Sequence, residues 1–400
     1  MRCQSARLAT SAPRLCGLAG LSALTAATLL LAACGSGGIS GSSPWRSLGS
    51  PGLTSFAFTS ATRGWGLTFG SPGVMATSNG GRSWQSCTGT IVGAPRQGAG
   101  ALPSTIDQLK QPLQVICADA DVFVAYDDRP PLGGSLASQP ATSRSGVLVS
   151  GDGGASWRPC LTLAASQDVV LHLAAASSSD LWALCRSDAS STTMPRSGPT
   201  FLLRTSDGGR HWARLRANDL GVAGLPGNLA EPLVFVSATQ GWSTWNDAPA
   251  PLLRVTDNGG QTWSTPAQVE YVPVGFDALD ANHAWTATGM PHRGAQVSGL
   301  YSTDNGARTW ASDPAFAGVS LAAVYFANSS HGWVVAAGGG DAKTQGIYAT
   351  TDGGAHWARE LVPSSASWPS EGWQFCRAGD SLFVGSQTVA FSRPLPTSVH

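Results

Sequence analysis

Two lysines and four glutamates are all that this chain of 400 residues has of those two types. Charged residues make up only 12% of it, and the formal net charge is zero. Binding to nucleic acid needs a clustered basic excess, so no nucleic-acid partner is expected. The eight cysteines include no Cys-x-x-Cys pair, and no His/Cys cluster has zinc spacing. No metal and no cofactor are therefore expected.

What abounds is glycine, with 49, and tryptophan, with 15. Six of the tryptophans and twelve of the glycines fall in one phrase written six times. It runs from Thr77 to Trp84, Ser150 to Trp157, Thr205 to Trp212, Thr256 to Trp263, Ser302 to Trp310 and Thr350 to Trp357. A repeat of this kind decides an architecture before other arguments begin. Asp or Asn followed by Gly between extended segments signals a hairpin, because glycine takes positive φ without steric cost. The acid can accept backbone N–H bonds within the turn. That places Asn79, Asp152, Asp207, Asp257, Asp304 and Asp352 as structural turn residues and not as catalysts. The tryptophan then starts the next strand as an apolar anchor.

A second phrase alternates with the first: Phe58 to Trp65, Phe235 to Trp242 and Phe326 to Trp333. Weaker copies are Ala175 to Trp182, Leu279 to Trp285, Ile116 to Phe123 and Phe375 to Phe383. One unit therefore reads as strand, turn, strand, loop, strand, repeat turn, strand. The spacings between repeat-turn tryptophans are 73, 55, 51, 47 and 47 residues. Four-stranded propeller blades run about 40–50 residues, so the first two intervals carry long loops. The chain is expected to be all-β, a seven-bladed propeller of four-stranded antiparallel blades. Trp45-Arg46-Ser47-Leu48 copies the strand that follows the repeat turns, and Thr388 to Ser392 reads as a third strand without a fourth. Pairing of the two ends would close the ring and hide its edges.

The turn phrase resembles the Asp-box, or bacterial neuraminidase repeat, of sialidase-like propellers. With the Gly-Trp phrase it is similar in style to photosystem II assembly and stability factors. The resemblance covers roughly Trp45 to Arg393 and implies a non-catalytic propeller that binds a partner protein, with a monomer expected. The alternative is a carbohydrate-binding or glycoside-hydrolase propeller of sialidase or xyloglucanase type. The Phe/Tyr-Arg-Ile-Pro phrase of sialidases is absent, and Glu270 and Tyr271 are adjacent, so on a strand they face opposite ways. A xyloglucanase needs two carboxylates about 5–10 Å apart and usually two facing propellers.

Arg2, Arg7 and Arg14 precede an apolar run ending Leu31-Ala32-Ala33-Cys34, which resembles a bacterial lipobox. Residues 1–33 then form a signal peptide, Cys34 carries the lipid, and 34–43 form a flexible tether to a propeller over 44–400. The expected location is extracytoplasmic, lipid-anchored to the bacterial membrane. In such a compartment Cys87–Cys117 and Cys160–Cys185 would be possible disulfides.

Antiparallel order puts the repeat turns on one face and the long loops on the other. Function concentrates on such loops. The candidate binding residues there are Asp128, Arg129, Arg186, Arg196, Trp245, Asp247, His292, Arg293, Lys343 and Trp368.

Overall fold

The computed structural model describes residues 43–399 apart from 69–72, 95–100, 110, 128–144, 164–167, 188–199, 216–232, 246–251, 267–272, 289–297, 338–343, 364–367 and 370–371. The first strand, β1 (Arg46–Gly49), belongs to the last sheet. Blade 1 then follows as β2 (Leu53–Phe58), β3 (Gly64–Thr68), β4 (Val74–Thr77) and β5 (Gln85–Ser86). A short β6 (Thr90–Ile91) adds in parallel to the outer edge of blade 2, which is β7 (Pro112–Ala118), β8 (Asp121–Asp127), β9 (Ser145–Ser150) and β10 (Ser156–Thr162). Blade 3 is β11 (Asp168–Ala175), β12 (Leu181–Ser187), β13 (Thr200–Thr205) and β14 (Ala213–Arg214). Blade 4 is β15 (Leu233–Phe235), β16 (Gly241–Trp245) and β17 (Leu252–Thr256), with Ser264 bridging to Val255 where the fourth strand would lie. Blade 5 is β18 (Pro273–Ala278), β19 (Ala284–Thr288), β20 (Gly299–Thr303) and β21 (Ala311–Ser312). Blade 6 is β22 (Leu321–Phe326), β23 (Gly332–Ala336), β24 (Gly346–Thr350) and β25 (Ala358–Leu361). Blade 7 is β26 (Gln374–Ala378), β27 (Ser381–Gly385) and β28 (Ala390–Pro394), completed by β1 in the order β1-β28-β27-β26. Arg46 pairs with Ser392 and Ser47 with Phe391, so the ring closes as the terminal repeats require.

The second phrase has a packing cause. At the junction of blades 3 and 4, Trp182 of β12 stacks on Phe235 of β15 with centroids 3.6 Å apart. Trp285 stacks on Phe326 at 3.7 Å between blades 5 and 6, and Phe383 on Phe58 at 3.6 Å between blades 7 and 1. Phe383 thus takes the tryptophan's place in the blade whose phrase is weakest. Such pairs contribute about 0.5–1.5 kcal/mol beyond their area. The same phenylalanine ring lies against the glycine opposite it on the neighbouring strand. A Cβ on Gly64, Gly241 or Gly332 would sit 2.4–2.5 Å from Phe58, Phe235 or Phe326, which is why Phe and Gly-Trp occur together.

The repeat turns share one hydrogen-bond pattern. In the third, Thr205 donates its hydroxyl to Asp207 Oδ1 at 2.8 Å, which also accepts from His211 N at 2.9 Å. The Thr205 hydroxyl oxygen accepts in turn from Gly209 N at 3.0 Å. Asp152, Asp352 and Asn79 hold the corresponding places. In the other two turns the expected acids are not the ones used. Asn258, not Asp257, accepts from Thr262 N at 2.9 Å, and Asn305, not Asp304, accepts from Thr309 N at 3.0 Å. The fifth phrase therefore begins at Thr303. Ala307 occupies its second glycine position, with φ at 65° and its methyl fully buried.

The five cysteines among the described residues are all unpaired, which corrects both disulfides. Cys87 follows the outermost strand of blade 1, whereas Cys117 lies on innermost β7. Crossing a blade takes three strand spacings, roughly 14 Å, against a limit near 7 Å between bridged Cα atoms. Cys160 on outermost β10 and Cys185 on β12 are separated by at least two such spacings, and their thiols instead donate to the carbonyls of Val147 and Ala183.

Candidate functional site

Three surfaces are available: the channel framed by the innermost strands, the loop face and the face of the repeat turns. The innermost strands β2, β7, β11, β15, β18, β22 and β26 present an unpaired edge, so their backbone N–H groups need partners from elsewhere. A side chain of the preceding blade supplies them at several junctions. Ser55 Oγ accepts from Val115 N at 3.3 Å, joining blade 1 to blade 2. Gln114 makes a two-sided contact with Leu173, accepting from its N–H at 2.7 Å and donating to its carbonyl at 3.2 Å. His172 bonds the backbone of Leu233 in blade 4, and burial pushes its pKa down to about 4, so it stays neutral. Asp277 Oδ2 accepts from Phe326 N at 2.7 Å between blades 5 and 6. Cys376 Sγ accepts from Phe58 N at 3.3 Å between blades 7 and 1.

Asp277 is the most perturbed carboxylic acid on this collar. Burial raises it to about 7, against the lowering effect of the Phe326 and Ala278 N–H groups. Part of its surface stays open, while dense protein encloses the carboxyl group. Tyr325 stands beside it, pushed up to about 12 by burial and then by the Asp277 charge. Titratable groups perturbed in this way within a concavity mark candidate functional positions, although structural networks perturb them too. Sequence reading missed the collar because its members share a place but no residue type.

The loop face is reached by the N-terminal ends of the innermost strands and the C-terminal ends of the outermost ones. Of its expected binding residues, Asp128, Arg129, Arg196, Asp247, His292, Arg293 and Lys343 lie outside the described residues. Trp245 ends β16, paired with Leu252. Arg186 is half-buried near the end of β12, paired with Val169 and Thr200. Trp368 is a correction: it is no open stacking platform. Its ring is buried against Trp373 at 4.6 Å, and its indole N–H donates to the Ala336 carbonyl at 3.0 Å. Four large apolar side chains are exposed among the described residues, and three of them are Leu113, Leu171 and Val362. Leu113 and Leu171 are the bulged residues of β7 and β11, and Val362 follows β25.

On the opposite face a cleft of about 300 Å³ opens between blades 5 and 6, bounded by His283, Trp285, Asp304 and Ser329. No group of three or more His, Cys, Asp or Glu able to hold a metal ion occurs among the described residues.

No protein-family model and no curated protein sequence matches the chain. Solved structures do. YCF48 from Cyanidioschyzon merolae is 16% identical with a TM-score of 0.56, covering 88% of this chain and 98% of that one. YCF48 bound to D1 peptide is 15% identical with a TM-score of 0.54, covering 89% and 96%. The GH74 xyloglucanase from Xanthomonas campestris is 15% identical with a TM-score of 0.54, covering 88% of this chain but 53% of its own length. At these identities the likeness establishes a shared propeller fold.

Proposed function

We propose that this chain is an exported, lipid-anchored propeller that binds a protein partner on its loop face without catalysis. The observation that carries the reading is the exposure of Leu113 and Leu171 on the innermost strands of the adjacent blades 2 and 3, in a ring whose other exposed positions are mostly polar. Exposed apolar groups beside polar loops are what a protein partner covers. By chain order the arginines at 129, 196 and 293 fall in the segments that connect strands on the same face. The end-to-end correspondence with YCF48, seen bound to a peptide of D1, supports a propeller of this size acting as a holder of protein segments. The correspondence spans 53% of the xyloglucanase's own length, and a hydrolase of that type is the alternative reading.

The test is capture from native membranes with the full chain, beside two variants. Leu113→Asp/Leu171→Asp and Arg129→Ala/Arg196→Ala/Arg293→Ala should each lose the partner retained by the parent. Arg186 is left in place because it is packed at its strand. A partner kept by both variants would remove the loop face from consideration. Cys34→Ala should move the protein from the membrane fraction to the soluble fraction, and retention at the membrane would sink the lipid anchor.

A further inference from the structure

The cleft between blades 5 and 6 lies on the face away from the proposed partner surface and is independent of that reading. Its cause is visible by comparison with the junction of blades 3 and 4. There Trp182 donates its indole N–H to the carbonyl of Gly259, the first glycine of the next blade's turn, at 2.9 Å. Trp285 holds the same place in blade 5 and makes the same stack on its neighbour's phenylalanine. The corresponding glycine, Gly353, lines the cleft together with Trp285, yet no bond joins them. Trp285 is only 6% exposed as a whole, and its indole N–H makes no hydrogen bond within the protein but reaches solvent. A ligand that accepts from this N–H would replace water with the bond that the Trp182 junction makes internally.

The remaining lining has a definite chemistry. His283 Nδ1 lies 2.9 Å from the Asp280 carboxylate, an arrangement that favours a proton on Nδ1, so in the neutral ring Nε2 is the acceptor. Thr309 Oγ1 accepts from Asn305 Nδ2 at 2.7 Å, so its own hydrogen remains to be donated. Asp304, released from the turn by Asn305, is exposed with no partner and adds a carboxylate acceptor. Ser302 and Ser329 add hydroxyls. No lysine or arginine lines the cleft, and the Asp304 carboxylate opposes an anion there. Its volume is at the small end of ligand pockets, roughly 300–1,000 Å³. Close-set donors and acceptors around an aromatic edge, without a cation, match a ligand whose every polar group both donates and accepts. We propose that this cleft binds one neutral sugar ring, with Trp285 donating to a ring or hydroxyl oxygen and Asp304 accepting from hydroxyls.

The experiment is saturation-transfer NMR and tryptophan fluorescence on the full chain in detergent. The probes are xylose, glucose and, as an anionic control, N-acetylneuraminate. At least one neutral sugar should bind saturably, in the millimolar range of a few hydrogen bonds. Asp304→Ala, at an exposed position, and Trp285→Phe, which retains the stack on Phe326, should each weaken it roughly fivefold or more. The proposal fails if neither neutral sugar saturates, if both variants bind as the parent does, or if N-acetylneuraminate binds equally well.

Discussion

Trp45 and Arg393 converge on one carboxylate. The Trp45 indole N–H donates to Glu360 Oε2 at 2.9 Å, and the Arg393 guanidinium binds the same oxygen. Arg393 also lies over the rings of Trp45 and Trp333, 5.6 and 5.2 Å from their centroids. Three elements are joined there: the segment entering β1, the closing strand β28, and the outer strand β25 of blade 6. Hydrogen bonds supplement the strand pairing where the first and last strands of the ring meet.

Removing the shared carboxylate should therefore act on the whole ring. Glu360→Ala leaves the Arg393 charge, only 9% exposed, without its counterion. The expected loss is about 3 kcal/mol, read as a lower denaturant midpoint at unchanged slope. Glu360→Gln, which keeps an acceptor for Trp45, should lose less.

The corrected register of the repeat turns is testable by paired substitutions. Asn305→Ala and Asn258→Ala should each cost about 1 kcal/mol, as removal of a turn-capping acceptor does. Asp304→Ala and Asp257→Ala should fall within about 0.5 kcal/mol of the parent. Equal losses across the four in thermal melts would contradict the assignment.

The pH dependence has two opposite arms. Asp277 is raised in the folded protein to about 7, so the native state holds a proton that the unfolded chain releases near pH 4. Stability from this group is complete below pH 4 and declines as pH rises through 7. Asp152 is held at about 2 by the Ser156 hydroxyl and N–H, and Asp352 at about 2 by the His356 N–H and ring. Their contribution is present above pH 4 and is lost as pH falls through 2. Asp277→Asn should flatten the upper arm of melting temperature against pH and leave the acid arm unchanged.

The thiols should be inert. Burial pushes Cys160 to about 12 and Cys376 to about 11, far from the thiolate form at neutral pH. Iodoacetamide should label none of Cys87, Cys117, Cys160, Cys185 and Cys376 in the native state and all five after unfolding. Melting with and without reductant should coincide, and a reductant-dependent shift would restore a disulfide.

The ring was legible because its signals are local and repeated. Trp45 followed by Arg46 to Leu48 copies the outer strand so plainly that its pairing with β28 follows from the missing seventh copy. The turns were legible as turns, yet Asp257 and Asp304 drew the alignment by one residue, because a carboxylate was favoured over the asparagine beside it. Either side chain offers the same acceptor oxygen, so residue type alone does not fix the register. Trp368 looked like a loop aromatic, but its partners Trp373 and Ala336 are set by tertiary packing. The collar of Ser55, Gln114, His172, Asp277 and Cys376 was invisible for a related reason. Each bonds the backbone of a neighbouring blade by different chemistry, and no periodic pattern marks it.

The pairing of β1 with β28 also sets an order of events. Synthesis delivers Arg46 long before Ser392, so the first strand made has no partner until the last one appears. Six blades can assemble from neighbours in the chain, whereas the seventh requires contacts across more than three hundred residues. Such distant pairing is slow. Until it occurs, the chain is an open arc with an exposed sheet edge at each end, able to pair with another copy. A stop just before Ala390 would therefore do more than shorten a tail. It would leave the opening strand permanently unmatched.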